Sequence, residues 1–240
     1  MKINKLIFTA AALTVAGFNS QAADDNAPKG ISGIVDFGMV LTSGNTENST
    51  VTGKFEILND LEKWLHAAKL DIVSAEADGT TTAERYLLNL KSDYKLDNDQ
   101  FLFAGLIYDV DKFSGFDSQA TLIAGYGRNI VNTETFKLSA EIGPGYRRSK
   151  FEAGGDESEA ILHLGAKAKK IINEASHVEG FLTIDSGSEQ TISILDLGYI
   201  NKLNSALSLK LGFNLKNSSD VPADTESTDT ITSVSVLYSF

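Results

Sequence analysis

Hydrophobicity with a period of two runs through most of the chain and constrains its fold more than any other feature. From Leu207 to Leu215 every second residue is leucine or phenylalanine, and the residues between them are serine, lysine, glycine and asparagine. The segments Tyr86–Leu96 and Phe136–Ile142 follow a similar pattern. Because successive side chains of a strand point to opposite faces, these segments predict β-strands with one apolar face and one polar face.

Turn-prone residues separate these segments at regular intervals, as at Ser43-Gly44-Asn45, Asp78-Gly79 and Gly154-Gly155-Asp156. The spacing leaves no room for crossover helices. The sequence therefore predicts an all-β fold, a closed up-and-down antiparallel barrel of about 12 strands. The predicted strands are roughly 31–42, 48–60, 64–76, 83–96, 100–112, 118–131, 135–149, 158–172, 177–186, 190–201, 205–217 and 228–240.

The N-terminal residues have the layout of a secretory signal peptide. Lys2 and Lys5 precede an apolar, alanine-rich stretch, and Ser20-Gln21-Ala22 places small residues where a signal peptidase cleaves. The stretch is too short for a membrane-spanning helix. We expect cleavage after Ala22, a short N-terminal segment over 23–30 and one barrel domain over 31–240.

Charge and cysteine content exclude several classes of function. The chain has a formal net charge of −11, and loss of the two signal-peptide lysines makes the mature chain more acidic still. An acidic chain is a poor partner for nucleic acid. The absence of cysteine excludes disulfide bonds and thiolate metal sites, so an exported chain of this kind depends on packing or on a closed network of backbone hydrogen bonds.

The polar faces of the predicted strands carry charges of both signs. A membrane barrel turns its apolar face to lipid and its charged face to a lumen, whereas a small soluble barrel reverses the two, so alternation alone leaves both open. For a transmembrane barrel we expect these side chains to line the lumen: Lys54, Glu56, Lys69, Asp71, Lys91, Asp93, Lys137, Glu141, His163, Lys167 and Lys210.

Aromatic residues lie near both ends of the predicted apolar faces, which is typical of the two interfacial girdles of a membrane barrel. Ordinary core aromatics are the alternative. The first set is Trp64, Tyr94, Phe136 and Tyr199, and the second is Tyr86, Tyr108, Phe113 and Tyr146.

The last strand is the most specific indication of a membrane. Val234, Val236, Tyr238 and Phe240 alternate up to the final residue, which resembles the signal by which outer-membrane barrels are recognised by their assembly machinery. An open sheet edge is not tolerated in lipid, so this strand must pair with the first. With an even strand count, both termini are expected in the periplasm.

The segment from Gly38 to Ser49 contains Leu41-Thr42-Ser43-Gly44-Asn45-Thr46. It resembles the Leu-Thr-x-Gly-Asn-Thr signature of the YdiY-like family of salt-induced outer-membrane proteins, a domain of unknown function. The resemblance implies an outer-membrane barrel and brings no catalytic residues. Taken by itself, Ser43-Gly44-Asn45 is a hairpin turn with a structural role.

Three histidines are the candidate catalytic residues, because some outer-membrane barrels are enzymes. His66 and His177 follow periplasmic turns, and no serine or acid has a spacing that ties it to His163. We therefore expect no catalytic site. The acidic outer connections 152–159 and 220–229 match no metal-loop spacing, so no metal or cofactor is expected either.

The sequence is compatible with two interpretations of the lumen. Its basic side chains could select anions as charged rings do in pores, or could pair with the interleaved acids and fill a narrow barrel. The leading hypothesis is a monomeric outer-membrane barrel in contact with lipid, either a narrow pore or a structural envelope protein linked to salt stress. The alternatives are an outer-membrane enzyme using His163 and a soluble periplasmic barrel that binds a ligand.

Overall fold

A computed structural model describes residues 30–42, 48–112, 116–221 and 227–240. These residues form twelve antiparallel strands. The strands are β1 (Gly30–Thr42), β2 (Asn48–Asp60), β3 (Trp64–Ala77), β4 (Thr80–Lys95), β5 (Gln100–Asp111), β6 (Phe116–Asn132), β7 (Phe136–Phe151), β8 (Asp156–Ile171), β9 (Ser176–Gly187), β10 (Thr191–Lys202), β11 (Leu207–Ser218) and β12 (Thr228–Ser239). The predicted number of strands is confirmed.

The sheet closes into a barrel, because each strand pairs with its neighbour in sequence and β1 also pairs with β12. The closing register joins Val35 to Tyr238 and Phe37 to Val236. It is extended by two backbone hydrogen bonds between Gly33 and Phe240, at 2.9 and 3.0 Å. The predicted closed up-and-down barrel is therefore confirmed, including the pairing of the last strand with the first.

Strand bounds differ from the predicted ones by a few residues where the turns are tighter than expected. The hairpin between β3 and β4 turns on Asp78 and Gly79 alone, with φ of 48° and 76°, which are the positive values that a two-residue hairpin requires. Both strands consequently extend to within one residue of this pair. The predicted turn Ser43-Gly44-Asn45 lies outside the described residues.

Large apolar side chains cover the outward face of the barrel. Leu122 and Ile130 are each 58 % exposed, and Ile142 is 49 % exposed. Similarly exposed large apolar residues occur on all twelve strands. An apolar surface of this extent is unfavourable in water and matches the lipid-facing band of a membrane barrel. The described residues contain no helix that is long and apolar enough to cross a membrane.

Aromatic side chains lie on this outward face as predicted. Trp64 packs edge-on against Tyr94, with ring centroids 4.9 Å apart, at the end of the barrel where the chain terminates. Tyr86, Tyr108 and Tyr146 are 43 to 52 % exposed and lie farther toward the other end. Phe113 lies outside the described residues. We call the two ends the termini end and the distal end.

Candidate functional site in the lumen

The structure places all eleven side chains expected in the lumen on the inward face of their strands. Lys54, Glu56, Lys69, Lys137, Lys167 and Lys210 line a cavity at the termini end. Asp71, Lys91, Asp93, Glu141 and His163 are buried. The lumen is therefore crowded with charge.

The cavity at the termini end has a volume of about 560 Å³, and we call it the vestibule. It reaches the barrel end, because Glu134 and Thr135 of the turn between β6 and β7 and Ser239 of β12 contribute to its lining. Seven lysines and five carboxylates line it: Lys54, Lys69, Lys137, Lys167, Lys169, Lys202 and Lys210, with Asp36, Glu56, Glu134, Glu179 and Asp196. The vestibule therefore has an excess of positive charge.

Some of these lysines form ion pairs with carboxylates inside the lumen. Lys210 Nζ lies 3.1 Å from Glu179 Oε1. Lys54 Nζ and Lys69 Nζ both approach the carboxylate of Asp71, at 3.8 and 3.9 Å. These contacts leave the vestibule polar and wide enough for water, whose share of liquid volume is about 30 Å³ per molecule.

Beyond the vestibule, a chain of ion pairs crosses the lumen. Lys91 Nζ of β4 donates to Glu141 Oε2 of β7 at 2.6 Å, although two strands lie between them in the wall. His163 contacts Glu141 Oε1 at 3.2 Å through Nε2 and Asp185 Oδ1 at 2.6 Å through Nδ1. We call Lys91, Glu141, His163 and Asp185 the lumen bridge. Each member is less than 9 % exposed.

Aromatic rings pack against the lumen bridge and complete the layer. The Nζ of Lys91 lies 4.9 Å from the ring centroid of Phe103, and His163 meets Phe103 edge-on at 5.8 Å. A cation over an aromatic face is stabilised by the ring quadrupole. Phe103 belongs to a buried cluster with Phe101, Ile123, Ile161 and Phe181. The middle of the lumen is thus filled by side chains.

A second, much smaller cavity of about 50 Å³ lies on the distal side of this layer. It shares no lining residue with the vestibule. Arg85 pairs with Asp109 there. Arg147 binds Glu159 at 2.5 Å and the backbone carbonyl of Gln190, which belongs to the turn between β9 and β10.

The geometry gives His163 no role as a catalytic base. Both ring nitrogens are engaged by carboxylates, and only the imidazolium form donates from both. The carboxylate partners are the ones that sequence spacing could not identify, because Asp185 lies opposite His163 through the pairing of β8 and β9. His66 faces outward, stacks on Trp64 and bonds Ser92 at 2.8 Å, whereas His177 lines the vestibule.

The inward position of Phe101 and Phe103 was not predicted. Both faces of the segment Phe101–Leu106 are apolar or small, so alternation gives no sign of which face points inward. Within the described ranges there is no group of three His, Asp or Glu side chains placed to hold a metal ion.

Solved membrane barrels have a similar fold. An outer-membrane channel from Pseudomonas putida F1 matches with a TM-score of 0.56, at 10% identity over 91% of this chain and 98% of that one. The translocator domain of the autotransporter NalP from Neisseria meningitidis matches with a TM-score of 0.51, at 15% identity over 90% of this chain and 91% of that one. At these identities the likeness concerns the fold alone.

Sequence comparison identifies relatives. The Uncharacterized protein YdiY of Escherichia coli (strain K12) is 25% identical over 221 residues, which cover 89% of this chain and 85% of that protein. The family described as "Protein of unknown function, DUF481" matches residues 35–240. The predicted resemblance to YdiY-like proteins is confirmed, and the chain belongs to the DUF481 family.

Proposed function

We propose that this protein is a narrow pore of the outer membrane that the lumen bridge closes in the state described by the structure. One observation carries the proposal: two cavities that share no lining residue lie on either side of the buried layer formed around Lys91, Glu141 and His163. A passage for small solutes requires that this layer rearrange, and a polar vestibule already leads to it.

The side chains of the bridge are suited to such a rearrangement. Lys91 and Glu141 meet across the lumen through long side chains with several rotatable bonds, and rotamer changes of such chains need no change in the strands that carry them. The backbone ladder is continuous round the barrel. Opening therefore requires side-chain motion and leaves the wall intact.

Planar-bilayer conductance of the refolded protein tests the pore. We expect the wild type to show a small conductance and the double variant Lys91→Ala, Glu141→Ala to show one several-fold larger, because two side chains leave the middle of the lumen. The matched control is Lys112→Ala, Glu84→Ala, which removes an exposed ion pair of 2.6 Å at the distal end and should conduct like the wild type.

Absence of conductance would contradict the proposal. If neither the wild type nor the bridge variant conducts while both migrate as folded barrels on unboiled gels, the proposal of a pore is wrong. The second candidate, a structural envelope barrel, then takes its place. That candidate is favoured by the burial of the bridge, because a filled lumen stiffens the wall as readily as it closes a pore.

We propose an outer-membrane location after signal-peptide cleavage following Ala22, with the termini end in the periplasm. The outward apolar surface supports contact with lipid over a soluble periplasmic barrel. Monomeric assembly by the outer-membrane machinery, with no nucleic-acid partner, belongs to the same proposal. Membrane fractionation and the intact mass of the purified protein test it: material in the soluble fraction, or a mass that retains residues 1–22, would contradict it.

A link to salt stress rests on the family resemblance. We expect a deletion strain to grow more slowly in high salt and to recover when the wild-type chain is restored. Equal growth of the deletion strain and its parent would remove this part of the proposal. An outer-membrane enzyme using His163 finds no support in the geometry, since Asp185 and Glu141 occupy both of its ring nitrogens.

A further inference from the structure

The interior between the vestibule and the small distal cavity is apolar on one side and polar on the other. The apolar side is the buried cluster around Phe103, whose members all belong to β5, β6, β8 and β9. On the other side, three buried polar residues belong to β3, β4 and β11: Asp71, Asn89 and Asn214. We call these three residues the polar side.

The residues of the polar side lie between the two cavities along their strands. Asp71 is the first inward-facing residue of β3 beyond the vestibule, and it is opposite Leu87 of β4 in the register. Asn89 and Asn214 are each two positions from a residue that lines the distal cavity, namely Leu87 on β4 and Lys216 on β11. The polar side therefore extends from the boundary of one cavity to the boundary of the other.

These side chains are buried with too few hydrogen-bond partners among the residues that the structure describes. Asn89 is 1 % exposed, and neither its amide nitrogen nor its amide oxygen has a partner there. Both carboxylate oxygens of Asp71 lack a hydrogen bond, because Lys54 and Lys69 stay 3.8 and 3.9 Å away. The Oδ1 atom of Asn214 also has no partner. Dry burial of such groups is unfavourable, so water must solvate the polar side.

We infer that water passes along the polar side, between the vestibule and the distal cavity, while the lumen bridge stays in place. The distal cavity of about 50 Å³ exceeds the roughly 10–15 Å³ that one water molecule needs. At this cavity the polar side meets Leu87, Ile192 and Ile194, which pack together across the lumen from β4 and β10. An ion loses its hydration beside apolar side chains at far greater cost than water does. The inference rests on the proposed passage through the lumen and assigns it a solute, water, in the closed state.

Osmotic shrinkage of vesicles that contain the full-length mature protein tests the path, with stopped-flow light scattering as the measurement. We expect these vesicles to shrink several-fold faster than empty vesicles of the same lipid. The variant Asn89→Leu, Asn214→Leu should lose most of this increase, because apolar side chains of similar size replace the groups that bind water. The single variant Asn89→Leu should lose part of it, and it provides the test where the double variant does not fold.

Asn59→Leu is the matched control, because it is the same substitution on the outward face of β2, opposite His66 in the register, and it should shrink like the wild type. Heat-dependent mobility on gels confirms that each variant is folded. Wild-type vesicles that shrink no faster than empty ones, or equal shrinkage of the folded Asn89→Leu variant and the wild type, would overturn the inference. Planar-bilayer conductance of the same samples keeps the two proposals apart. Water flow without ionic current, in the wild type and in the bridge variant, would refute the ion-conducting pore and support the water path.

Discussion

Gly143 and Gly125 face each other where β6 and β7 approach closely. A Cβ placed on Gly143 would overlap the backbone carbonyl oxygen of Ala124, and one on Gly125 would overlap the carbonyl of Ile142. Backbone atoms cannot rotate aside as a flexible side chain can. Glycine is therefore required at these two positions for the strands to keep their spacing.

We expect Gly143→Ala to lower the free energy of unfolding by about 1–3 kcal/mol, the usual cost of overpacking. Gly53→Ala is the control, since a Cβ there meets nothing within 4 Å. Urea unfolding of both variants in lipid vesicles measures the difference. Equal stabilities would show that β6 and β7 can separate without cost.

A second prediction at the scale of single residues concerns the ion pair between Lys91 and Glu141 of the lumen bridge. Removing one partner of a buried ion pair leaves the other charge uncompensated, at a cost of about 3–5 kcal/mol. We therefore expect Lys91→Met and Glu141→Gln each to be strongly destabilising, and the double variant to lose less than the sum of the two. Urea unfolding in a double-mutant cycle measures this coupling. Additive losses would mean that Lys91 and Glu141 are not energetically coupled despite their 2.6 Å contact.

Which side chains share a face of a strand could be predicted wherever polar and apolar residues alternate cleanly. Lys91 and Asp93 were expected to share one face because Leu90, Ser92 and Tyr94 take the other, and both are buried in the structure. The partners of His163 could not be predicted, since Asp185 and Glu141 reach it through strand pairing. Register depends on turn lengths that the sequence specifies only approximately.

At the scale of elements, the closing pair β1 and β12 has the shortest ladder described, with five register partners against thirteen between β1 and β2. The C-terminal residue compensates for this. Phe240 exchanges two backbone hydrogen bonds with Gly33, and its ring occupies the place that a Cβ of Gly33 would take. Gly33 therefore leaves the space that the ring of Phe240 fills, and both residues favour closure of the barrel.

We expect deletion of Phe240 to reduce the fraction of protein that assembles into a heat-modifiable barrel in cells. The deletion removes both hydrogen bonds and the terminal residue of the proposed assembly signal, which comprises Val234, Val236, Tyr238 and Phe240. Phe55→Ala is the control, because Phe55 is 42 % exposed on β2 and takes no part in closure. Normal assembly of the deleted chain would show that the shorter ladder closes the barrel unaided.

Strand existence was easier to predict than strand ends. The run from Leu207 to Leu215 alternates without interruption, and β11 (Leu207–Ser218) follows it closely. β6 (Phe116–Asn132) begins earlier than predicted and contains register shifts near both ends. Such irregularities depend on neighbouring strands, so local periodicity does not reveal them.

At the scale of the whole molecule, the distribution of polarity reverses that of a soluble barrel. The outward face is apolar, with Leu122 and Ile142 about half exposed, and the lumen is charged, with Lys91 and His163 buried. Sequence periodicity predicted two faces of opposite polarity but could not decide which faced inward. The closing strand favoured the membrane, and the closed sheet with an apolar exterior supports the same conclusion.

The outward apolar face in contact with lipid is the central claim, and Trp64 reports on it directly because it is the only tryptophan of the chain. Trp64 begins β3 on the outward face and is 42 % exposed. The measurement is fluorescence quenching in vesicles of brominated lipids, with the variant Trp64→Phe, Leu122→Trp as a probe nearer the middle of the wall. We predict that bromine near the headgroups quenches Trp64 more strongly and that bromine deep in the chains quenches the variant more strongly. Equal fluorescence in brominated and plain lipid, for a folded barrel, would contradict the account.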